Sequence, residues 1–198
     1  DGSIMGTIFV DKVDPQSGTS LEIGSSGDTI SVPSGATINL SNATQTGVGG
    51  VNTPAFAMRG SGSLQTVTDN TFTKAQLNNA DIDTDSACDT TTNYRFTVPS
   101  GKAGKYFICA SLNAYTATND QQLFDGLIYK NGSSIASNLW QYSTAANAGR
   151  HNAYSQSIVV DLAAGDYIEL YGRISGGSTE KFRRDDRSML LSGYRIIG

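Results

Sequence analysis

The sequence predicts an all-β protein, in which a jelly-roll β-sandwich head follows a short trimeric β-repeat shaft. Glycine is abundant, at 22 of 198 residues, and Thr, Ser and Asn are frequent. That mixture is typical of short strands joined by tight turns. Beyond residue 53, apolar runs recur at spacings of about ten residues, which indicates a sandwich or jelly roll. Before residue 41, a much shorter unit repeats three times, which predicts the shaft.

The repeated unit occupies residues 17–40. Each copy begins with Ser-Gly, continues with two small or polar residues and ends apolar–polar–apolar, and the copies start at Ser17, Ser26 and Ser34. The glycine permits a sharp bend because it adopts positive φ without strain. The apolar pair predicts a strand of three to five residues. Such a strand cannot bury its apolar face alone, so we expect three chains to wind together. The alternative is a loose Gly/Ser linker.

Composition divides the chain into segments. Residues 1–4 are interpreted as a cloning remnant before a native start at Met5; the alternative is that the chain is cut from a longer one. Residues 5–52 are predicted to form an attachment segment, the shaft and a neck without apolar pairs. Residues 53–198 form the head, because both cysteines, the single Trp, all nine Tyr and six of the seven Phe lie beyond residue 50.

Within the head, apolar runs separated by turn residues predict a ten-stranded sandwich. Asn131-Gly132 predicts a hairpin turn, and Gly165-Asp166 predicts a turn between two later strands. The residues from Thr73 to Ala80 are compatible with one turn of helix. The clearest strand predictions are Pro54–Arg59, Tyr94–Val98, Lys105–Asn113, Phe124–Tyr129, Ser155–Leu162, Tyr167–Ile174 and Met189–Ile197.

Charge, hydropathy and cysteine spacing exclude several classes of protein. The formal net charge of −4 gives no broad attraction to nucleic acid or to an anionic membrane. The sequence has no run of 18 apolar residues, so we expect no membrane insertion. Cys88 and Cys109 lack the close spacing of a zinc site or a redox pair. They are interpreted as two small hydrophobes, with Cys109 buried, and a disulfide between them is left open.

A series of short phrases in the head occurs in an order that is typical of one known family. The phrases are Phe72-Thr73, Asn93–Pro99, Gly104–Phe107, Tyr129–Gly132, Ser157–Leu162, Gly165–Leu170 and Leu191–Ile196. They lie within the roughly 145 residues from Pro54 onward, and no single phrase is specific. With them the head resembles the globular domain of complement component one-q, which shares its jelly roll with the tumour necrosis factor family. The resemblance implies a homotrimer whose last strand lies in the inner sheet, near the trimer axis.

The stalk departs from that family. Animal members often carry a collagen stalk, whereas this chain has no Gly-X-Y repeat. The segment from Met5 to Gly18, a short β repeat and a head of this type together resemble structural proteins of tailed bacteriophages, notably marine ones. This resemblance implies a non-enzymatic, homotrimeric fibre or appendage protein of the virion, assembled in the bacterial cytoplasm. Its N-terminal segment would join other virion proteins, and its head would contact a host-surface glycan or protein.

Two other functions are compatible with the same sequence. One is a purely architectural protein that decorates the capsid or tail without adhesion. The other is a glycan depolymerase, which requires two carboxylates facing each other across the substrate. The sequence contains many carboxylates and does not select a pair. The single histidine, His151, and the lack of a serine in a Gly-x-Ser-x-Gly context predict no catalytic triad. We therefore expect no enzyme activity and no cofactor.

Four residues are candidates for receptor contact: Trp140, Tyr142, Arg150 and His151. Trp, Tyr and Arg dominate binding hot spots, and aromatic faces stack on sugars. The alternative role of this stretch is trimer contact or core filling. The mixed-charge segment from Glu180 to Arg187 is interpreted as a solvated loop or as a source of inter-subunit ion pairs; the functional alternative is that it is part of a recognition surface.

One acidic run has the composition of a metal site. It contains Asp81, Asp83, Asp85 and Asp89, and alternating carboxylates suit calcium, which takes six to eight oxygen ligands. In an EF-hand loop, however, glycine and an acidic residue would stand where this chain has Ser86 and Thr92. The pattern therefore favours a solvated acidic loop over a bound cation, and no metal ligand is predicted.

Overall fold

The structure, a computed structural model, describes residues 13–39, 52–142, 149–176, 179–185 and 187–196. The chain divides into two compact units, Asp1–Val48 and Gly49–Gly198. The start of the predicted attachment segment, up to residue 12, and most of the predicted neck, residues 40–51, lie outside the described residues. The described part of the chain contains no helix long and apolar enough to cross a membrane.

In the first unit, the repeated glycines form the bends that the sequence predicts. Gly18, Gly27 and Gly35 have φ angles of 80°, 95° and 86°. These values lie in the left-handed region, which glycine occupies without strain. Backbone hydrogen bonds of 3.0 and 3.1 Å close the bends of the second and third copies. The Ser-Gly pairs therefore act as turns already in the single chain.

The strands predicted between these bends are absent from residues 13–39. The apolar side chains of these predicted strands are exposed, and their exposed fractions lie between 44% and 66%. They are Leu21, Ile23, Ile30, Val32 and Ile38. The physical reason is that a strand of three to five residues makes too few hydrogen bonds and buries too little surface to persist without partners. The single chain therefore does not test the predicted strands, and the three-chain shaft stays a prediction.

The described part of the second unit consists of thirteen strands, which form two antiparallel sheets packed face to face. The strands are β1 Ala55–Arg59, β2 Gln65–Thr66, β3 Thr73–Lys74, β4 Asn79–Asp83, β5 Cys88–Asp89, β6 Arg95–Thr97, β7 Gly104–Tyr115, β8 Leu123–Lys130, β9 Ser133–Gln141, β10 His151–Leu162, β11 Tyr167–Ser175, β12 Lys181–Arg183 and β13 Leu190–Arg195. In sheet A, β7 pairs with β10 on one side and with β13 and then β12 on the other; β1 and β4 follow β13, and β2 follows β12. Sheet B has the order β5–β6–β11–β8–β9, with β3 also paired to β11.

The core forms because the long strands alternate between buried and outward side chains. In β7 the buried set is Tyr106, Ile108, Ala110, Leu112 and Ala114. The rings of Phe56 from sheet A and Phe96 from sheet B stack with centroids 4.0 Å apart. Tyr154 covers Gly126, where an added Cβ would lie 2.2 Å from the tyrosine Cγ. These contacts join the two sheets, and each fully buried large apolar side chain contributes roughly 1.5–3 kcal/mol.

Two turns at one end of the sandwich are tied together by a carboxylate. Asn131 and Gly132 form the predicted hairpin turn, with φ angles of 51° and 79°. Asn131 Nδ2 donates to Asp166 Oδ1 at 2.7 Å, and the backbone N–H of Ala163 donates to Asp166 Oδ2 at 2.8 Å. Hydrogen bonds from Asn131 and Lys130 are the main reason that the pKa of Asp166 falls to about 2. The β8–β9 and β10–β11 turns therefore share one charged link.

All seven apolar runs predicted as strands are strands, with ends that shift by up to four residues. The described residues of the head form thirteen strands where ten were expected. Strand β9 was not predicted, because its residues do not alternate between core and surface. It is the edge strand of sheet B and is exposed along most of its length. The stretch from Thr73 to Ala80 is not helical, since it contains β3 and the start of β4.

The burial expected for Cys109 is also wrong. Ile108 and Ala110 point into the core from β7, so the alternation of the strand places Cys109 between them on the opposite face. Its side chain is half-buried there. The apolar run around Cys109 signalled a buried strand, but it did not show which residues of the strand face the core.

Candidate functional site

The outer face of sheet A, which points away from the core, carries an apolar row at the end where β1 begins. In this row Phe107 on β7 pairs with Val159 on β10 and with Tyr194 on β13. The rings of Phe107 and Tyr194 are 5.6 Å apart. Val159 is 60% exposed and Tyr194 is also exposed. This row is called the apolar row below.

The two rows that follow along β7 are built mostly from small side chains. Since successive outward residues of paired strands lie side by side, the register gives their composition directly. The first contains Ser157, Cys109, Ser192 and Ala57, and the second contains Ser155, Ser111, Leu190 and Arg59. Small side chains let another surface approach this part of the sheet closely.

The far end of the same face is polar and contains a hollow of about 370 Å³, here called the polar hollow. It is lined by Asn113, His151, Asn152, Ala153 and Arg183. The register explains the grouping, because Asn113 on β7 pairs with Ala153 on β10 and with Arg183 on β12. Asn113 is six residues from Phe107 along β7, so the hollow lies roughly 20 Å from the apolar row.

Two of the predicted receptor-contact residues meet beside the polar hollow. His151 pairs with Tyr115 across β10 and β7, and their rings are 5.1 Å apart. Arg150 Nη2 donates to Tyr115 Oη at 3.1 Å, and the guanidinium lies 5.5 Å from the centre of the same ring. Tyr115 therefore orients both candidates at one end of the sheet.

Arg183 brings the mixed-charge segment into the polar hollow. Its Nε and Nη2 donate to the two carboxylate oxygens of Asp185 at 3.2 and 3.1 Å. The hydrogen bond from Arg183 is the main cause of a lowered pKa at Asp185. The guanidinium thus holds a carboxylate in the two-pronged geometry that arginine favours.

Trp140 lies on the edge strand β9, and Tyr142 follows directly after the end of that strand. The backbone N–H of Tyr142 donates to Gln122 O at 2.9 Å. Its hydroxyl lies so close to Gly149 that an added Cβ there would be 2.9 Å away. Trp140 pairs with the fully buried Phe124, yet its side chain is 51% exposed because β9 has no neighbour on its outer side.

The structure therefore brings together three of the four candidates. Tyr142 contacts Gly149, the residue before Arg150, and His151 follows directly. Trp140 stands apart on β9. Sequence reasoning missed Asn113, Asn152 and Tyr115 as neighbours of these candidates. The outward positions of the two longest strands, β7 and β10, were the available signal, but their register cannot be derived from sequence.

The acidic run does not gather as a metal site. Asp81 pairs with Arg59 at 2.9 Å, and Asp85 pairs with Lys102 at 3.2 Å. Asp83 accepts backbone hydrogen bonds from residues 87 and 88, and Asp89 accepts them from residues 91 and 92, which lowers the pKa of Asp89. Among the residues that the structure describes, no three potential ligand side chains are grouped for a metal ion.

The two cysteines are free thiols in different sheets. Cys88 lies on β5 of sheet B, and Cys109 lies on β7 of sheet A. Burial, followed by the charge of Asp83, raises the pKa of the Cys88 thiol to about 12. Cys88 is therefore protonated and unreactive near neutral pH.

The outer face of sheet B carries two ion pairs and several contacts between aromatic rings and cations. Lys74 Nζ contacts Glu169 Oε1 at 2.5 Å, and this glutamate is buried. Arg173 contacts Asp125 at 3.5 Å and lies 4.5 Å from the centre of the Phe72 ring. Two further contacts lie on this face. The guanidinium of Arg95 lies over the ring of Tyr167, and the ring of Tyr129 stacks on the ring of Tyr171.

Comparison with protein-family models and with curated protein sequences finds no match. Solved structures do match. Eiger TNF from S. frugiperda aligns with a TM-score of 0.51 at 11% identity, over 72% of this chain and 91% of that one. Murine APRIL at pH 5.0 aligns with a TM-score of 0.52 at 10% identity, over 72% and 98%. The globular domain of zebrafish complement 1qA aligns at 0.49 and 14% identity, over 72% and 97%. The first two alignments establish the tumour necrosis factor-like jelly-roll fold.

Proposed function

We propose that the chain is a non-enzymatic homotrimeric structural protein of a bacteriophage, a fibre or appendage whose head binds the host surface. The jelly-roll fold supports the head, and the sequence pattern of the first unit supports the fibre. The observation that carries the trimer is the apolar row on sheet A. Phe107, Val159 and Tyr194 are aligned across three strands of a face whose next two rows are built mostly from small side chains.

The energetic reason is that an aligned apolar row on a sheet is costly to leave in water. Covering apolar surface stabilises an assembly by roughly 25 cal/mol per Å². The neighbouring rows of serine, alanine and cysteine permit close approach of a second copy. In the first unit, the exposed apolar pairs such as Ile30 and Val32 likewise need partner strands that one chain does not supply.

Host contact is supported by the opposite end of the same face. The polar hollow and the adjoining Arg150 and Tyr115 present arginine, histidine and amide groups without an apolar cover. Arginine and tyrosine are enriched where binding energy concentrates. This end lies away from the apolar row, so assembly through that row leaves the polar end available.

Sedimentation equilibrium of the full chain tests the assembly. We expect three times the chain mass of 20.9 kDa at every dilution, and a mass of 20.9 kDa overturns the trimer. Gold-labelled antibodies against the head test the virion role, and we expect them to mark one position on the parent phage. Competition between the purified trimer and the phage for host cells tests adhesion. A trimer that marks the particle but does not compete with the phage is an architectural decoration protein instead.

A further inference from the structure

The turn between β8 and β9 contains Asn131-Gly132, the only Asn-Gly pair in the sequence. Such a pair is chemically labile, because a glycine nitrogen is not shielded by a Cβ and is free to attack the preceding side-chain amide. Both residues are exposed, so water and hydroxide reach them. In the absence of other contacts, we expect this asparagine to deamidate.

Deamidation of Asn131 needs only water and hydroxide. The Gly132 nitrogen gives its proton to hydroxide and bonds to Asn131 Cγ, while the Cγ–Nδ2 bond breaks and ammonia leaves after taking a proton from water. The product is a cyclic succinimide, which water opens at either carbonyl to give aspartate or isoaspartate. The net change consumes water and releases ammonia, and no atom is oxidised or reduced.

The folded chain holds this amide against the β10–β11 turn. Asn131 Nδ2 donates to Asp166 Oδ1 at 2.7 Å, and Asn131 Oδ1 accepts from the backbone N–H of Tyr167 at 2.9 Å. The backbone N–H of Asn131 also donates to Tyr167 O at 3.1 Å. Both ends of the amide are therefore occupied, and Asn131 Cγ is not free to rotate toward Gly132 until the two side-chain bonds break. The bond to the carboxylate is of the stronger, charge-assisted kind.

Asp166 is itself held in place for this contact. Its Oδ2 accepts from the backbone N–H of Ala163 at 2.8 Å and forms an ion pair with Lys130 Nζ at 2.9 Å. Hydrogen bonds from Asn131 and Lys130 lower the pKa of Asp166 to about 2, so this carboxylate is ionised at neutral and alkaline pH. Hydroxide promotes ring closure in the same range of pH. The contact is therefore present under the conditions in which the asparagine needs protection.

We propose that Asn131 is a deamidation site that the Asp166 carboxylate holds closed. Asp166 is a positioning residue, because it binds the side-chain amide away from the attacking nitrogen of Gly132. Conversion of Asn131 would replace a hydrogen-bond donor with a second carboxylate facing Asp166, and the link between the two turns would become a repulsion. This inference concerns the durability of the head and does not depend on the proposed function.

The rate of deamidation in the full chain tests the proposal. The unmodified protein is incubated in alkaline buffer, folded or in guanidinium chloride, then acidified, digested with pepsin and analysed by mass spectrometry. We expect Asn131 to react about tenfold or more slowly in the folded protein than in the denatured chain. Asp166→Ala should raise the folded rate about tenfold, because the carboxylate acceptor is lost. Equal rates in the folded and denatured chains, or in Asp166→Ala and the unmodified protein, overturn the proposal.

A second pair of variants separates local release of Asn131 from global unfolding, which would also expose the pair. Lys74→Met strands the buried Glu169 carboxylate on sheet B without touching either turn, so it lowers stability but should leave the rate at Asn131 unchanged. Equal acceleration by Lys74→Met overturns the proposal. Asp166→Asn keeps an acceptor without the charge and should raise the rate less than Asp166→Ala does. A larger rise in Asp166→Asn also overturns it.

The consequence of the modification is measurable without waiting for the reaction. Asn131→Asp introduces the product, and Asn131→Gly removes the same hydrogen bonds without adding charge. The charged groups nearest this position are Asp166 and Lys130, and the hydroxyl of Tyr167 lies beside Gly132. At neutral pH, Asn131→Asp should be less stable to urea than Asn131→Gly, and the difference should shrink below about pH 4 as the carboxylates protonate. Equal stability of the two variants at neutral pH overturns the predicted repulsion.

Discussion

The outer faces of the two sheets differ in the side chains that are aligned across their central strands. On sheet B, charged side chains are paired across the face, as Lys74 is with Glu169 and Arg173 is with Asp125. On sheet A, the apolar row exposes Val159 and Tyr194 with nothing above them in the described chain. This contrast is what we expect if another copy covers sheet A and sheet B faces solvent.

The largest expected effect comes from placing a charge in the apolar row. Val159→Asp should convert the trimer to a folded monomer, because Val159 is already exposed in one chain, whereas burying three unpaired carboxylates in an interface is costly. Light scattering should show a threefold lower mass with an unchanged far-ultraviolet spectrum. Phe72→Asp makes the same kind of change on sheet B and should leave the trimer intact. A trimer that survives Val159→Asp contradicts the assignment of this face.

The second largest effect is expected on sheet B, where the loss of an ion pair should lower stability without changing the assembly. Lys74→Met leaves the buried Glu169 carboxylate unpaired and should lower the free energy of unfolding by about 2–3 kcal/mol. Chemical denaturation measures this loss, and the mass of the trimer should not change. The double variant Lys74→Met/Glu169→Gln should regain much of the stability, because no charge is stranded. Dissociation of the trimer by Lys74→Met alone would place sheet B in the interface.

Trp140 tests whether recognition extends beyond sheet A. If its exposed ring contacts the host, Trp140→Ala should weaken cell binding by about 2 kcal/mol or more while the trimer persists. Cell-binding isotherms and melting curves of the same preparation measure both properties. Early melting or dissociation would instead make Trp140 a structural residue of the edge strand.

The smallest expected effect concerns the Asp166 carboxylate, which links two turns at one end of the sandwich. Because this link lies on neither outer face, its effect on stability is a reference for the effects on the two faces. The pKa of Asp166 is about 2 in the folded chain and about 4 when unfolded, because Asn131, Lys130 and Ala163 favour the carboxylate. The link therefore stabilises the fold above pH 4, and this stabilisation is lost as the pH falls toward 2. Asp166→Asn should remove about 1 kcal/mol of it. The difference in urea midpoint between the two proteins should shrink from pH 6 to pH 2, and a constant difference would rule out this link.

The head was largely predictable from sequence because its strong strands carry their own signal. Runs such as Lys105–Asn113 and Tyr167–Ile174 are long and apolar, and the turn residues at Asn131-Gly132 are specific. The edge strand β9 was not predictable, since a strand exposed on both faces has no alternation to detect. Within residues 13–39 of the first unit, the turns form in one chain without strands between them, because strands that short depend on partners.

The candidate site was predictable only in part. Arg150, His151 and Tyr142 were identified by residue type, since arginine and aromatic residues mark binding surfaces. Asn113 and Arg183 join them through strand pairing between β7, β10 and β12, whose partners lie about 40 and 70 residues apart in the chain. Pairing over such separations is decided by the packing of the whole sandwich. Trp140, chosen on the same criterion, lies elsewhere for the same reason.

One footprinting measurement tests the difference between the two faces most directly. Tyr194 on sheet A and Phe72 on sheet B are equally exposed in the single chain, at 40% and 43%. Hydroxyl-radical labelling of the unmodified protein should modify Phe72 readily and Tyr194 slowly. In the Val159→Asp monomer, labelling of Tyr194 should rise severalfold while that of Phe72 stays constant. Rapid labelling of Tyr194 in the unmodified protein, at the rate seen in the monomer, would contradict the account.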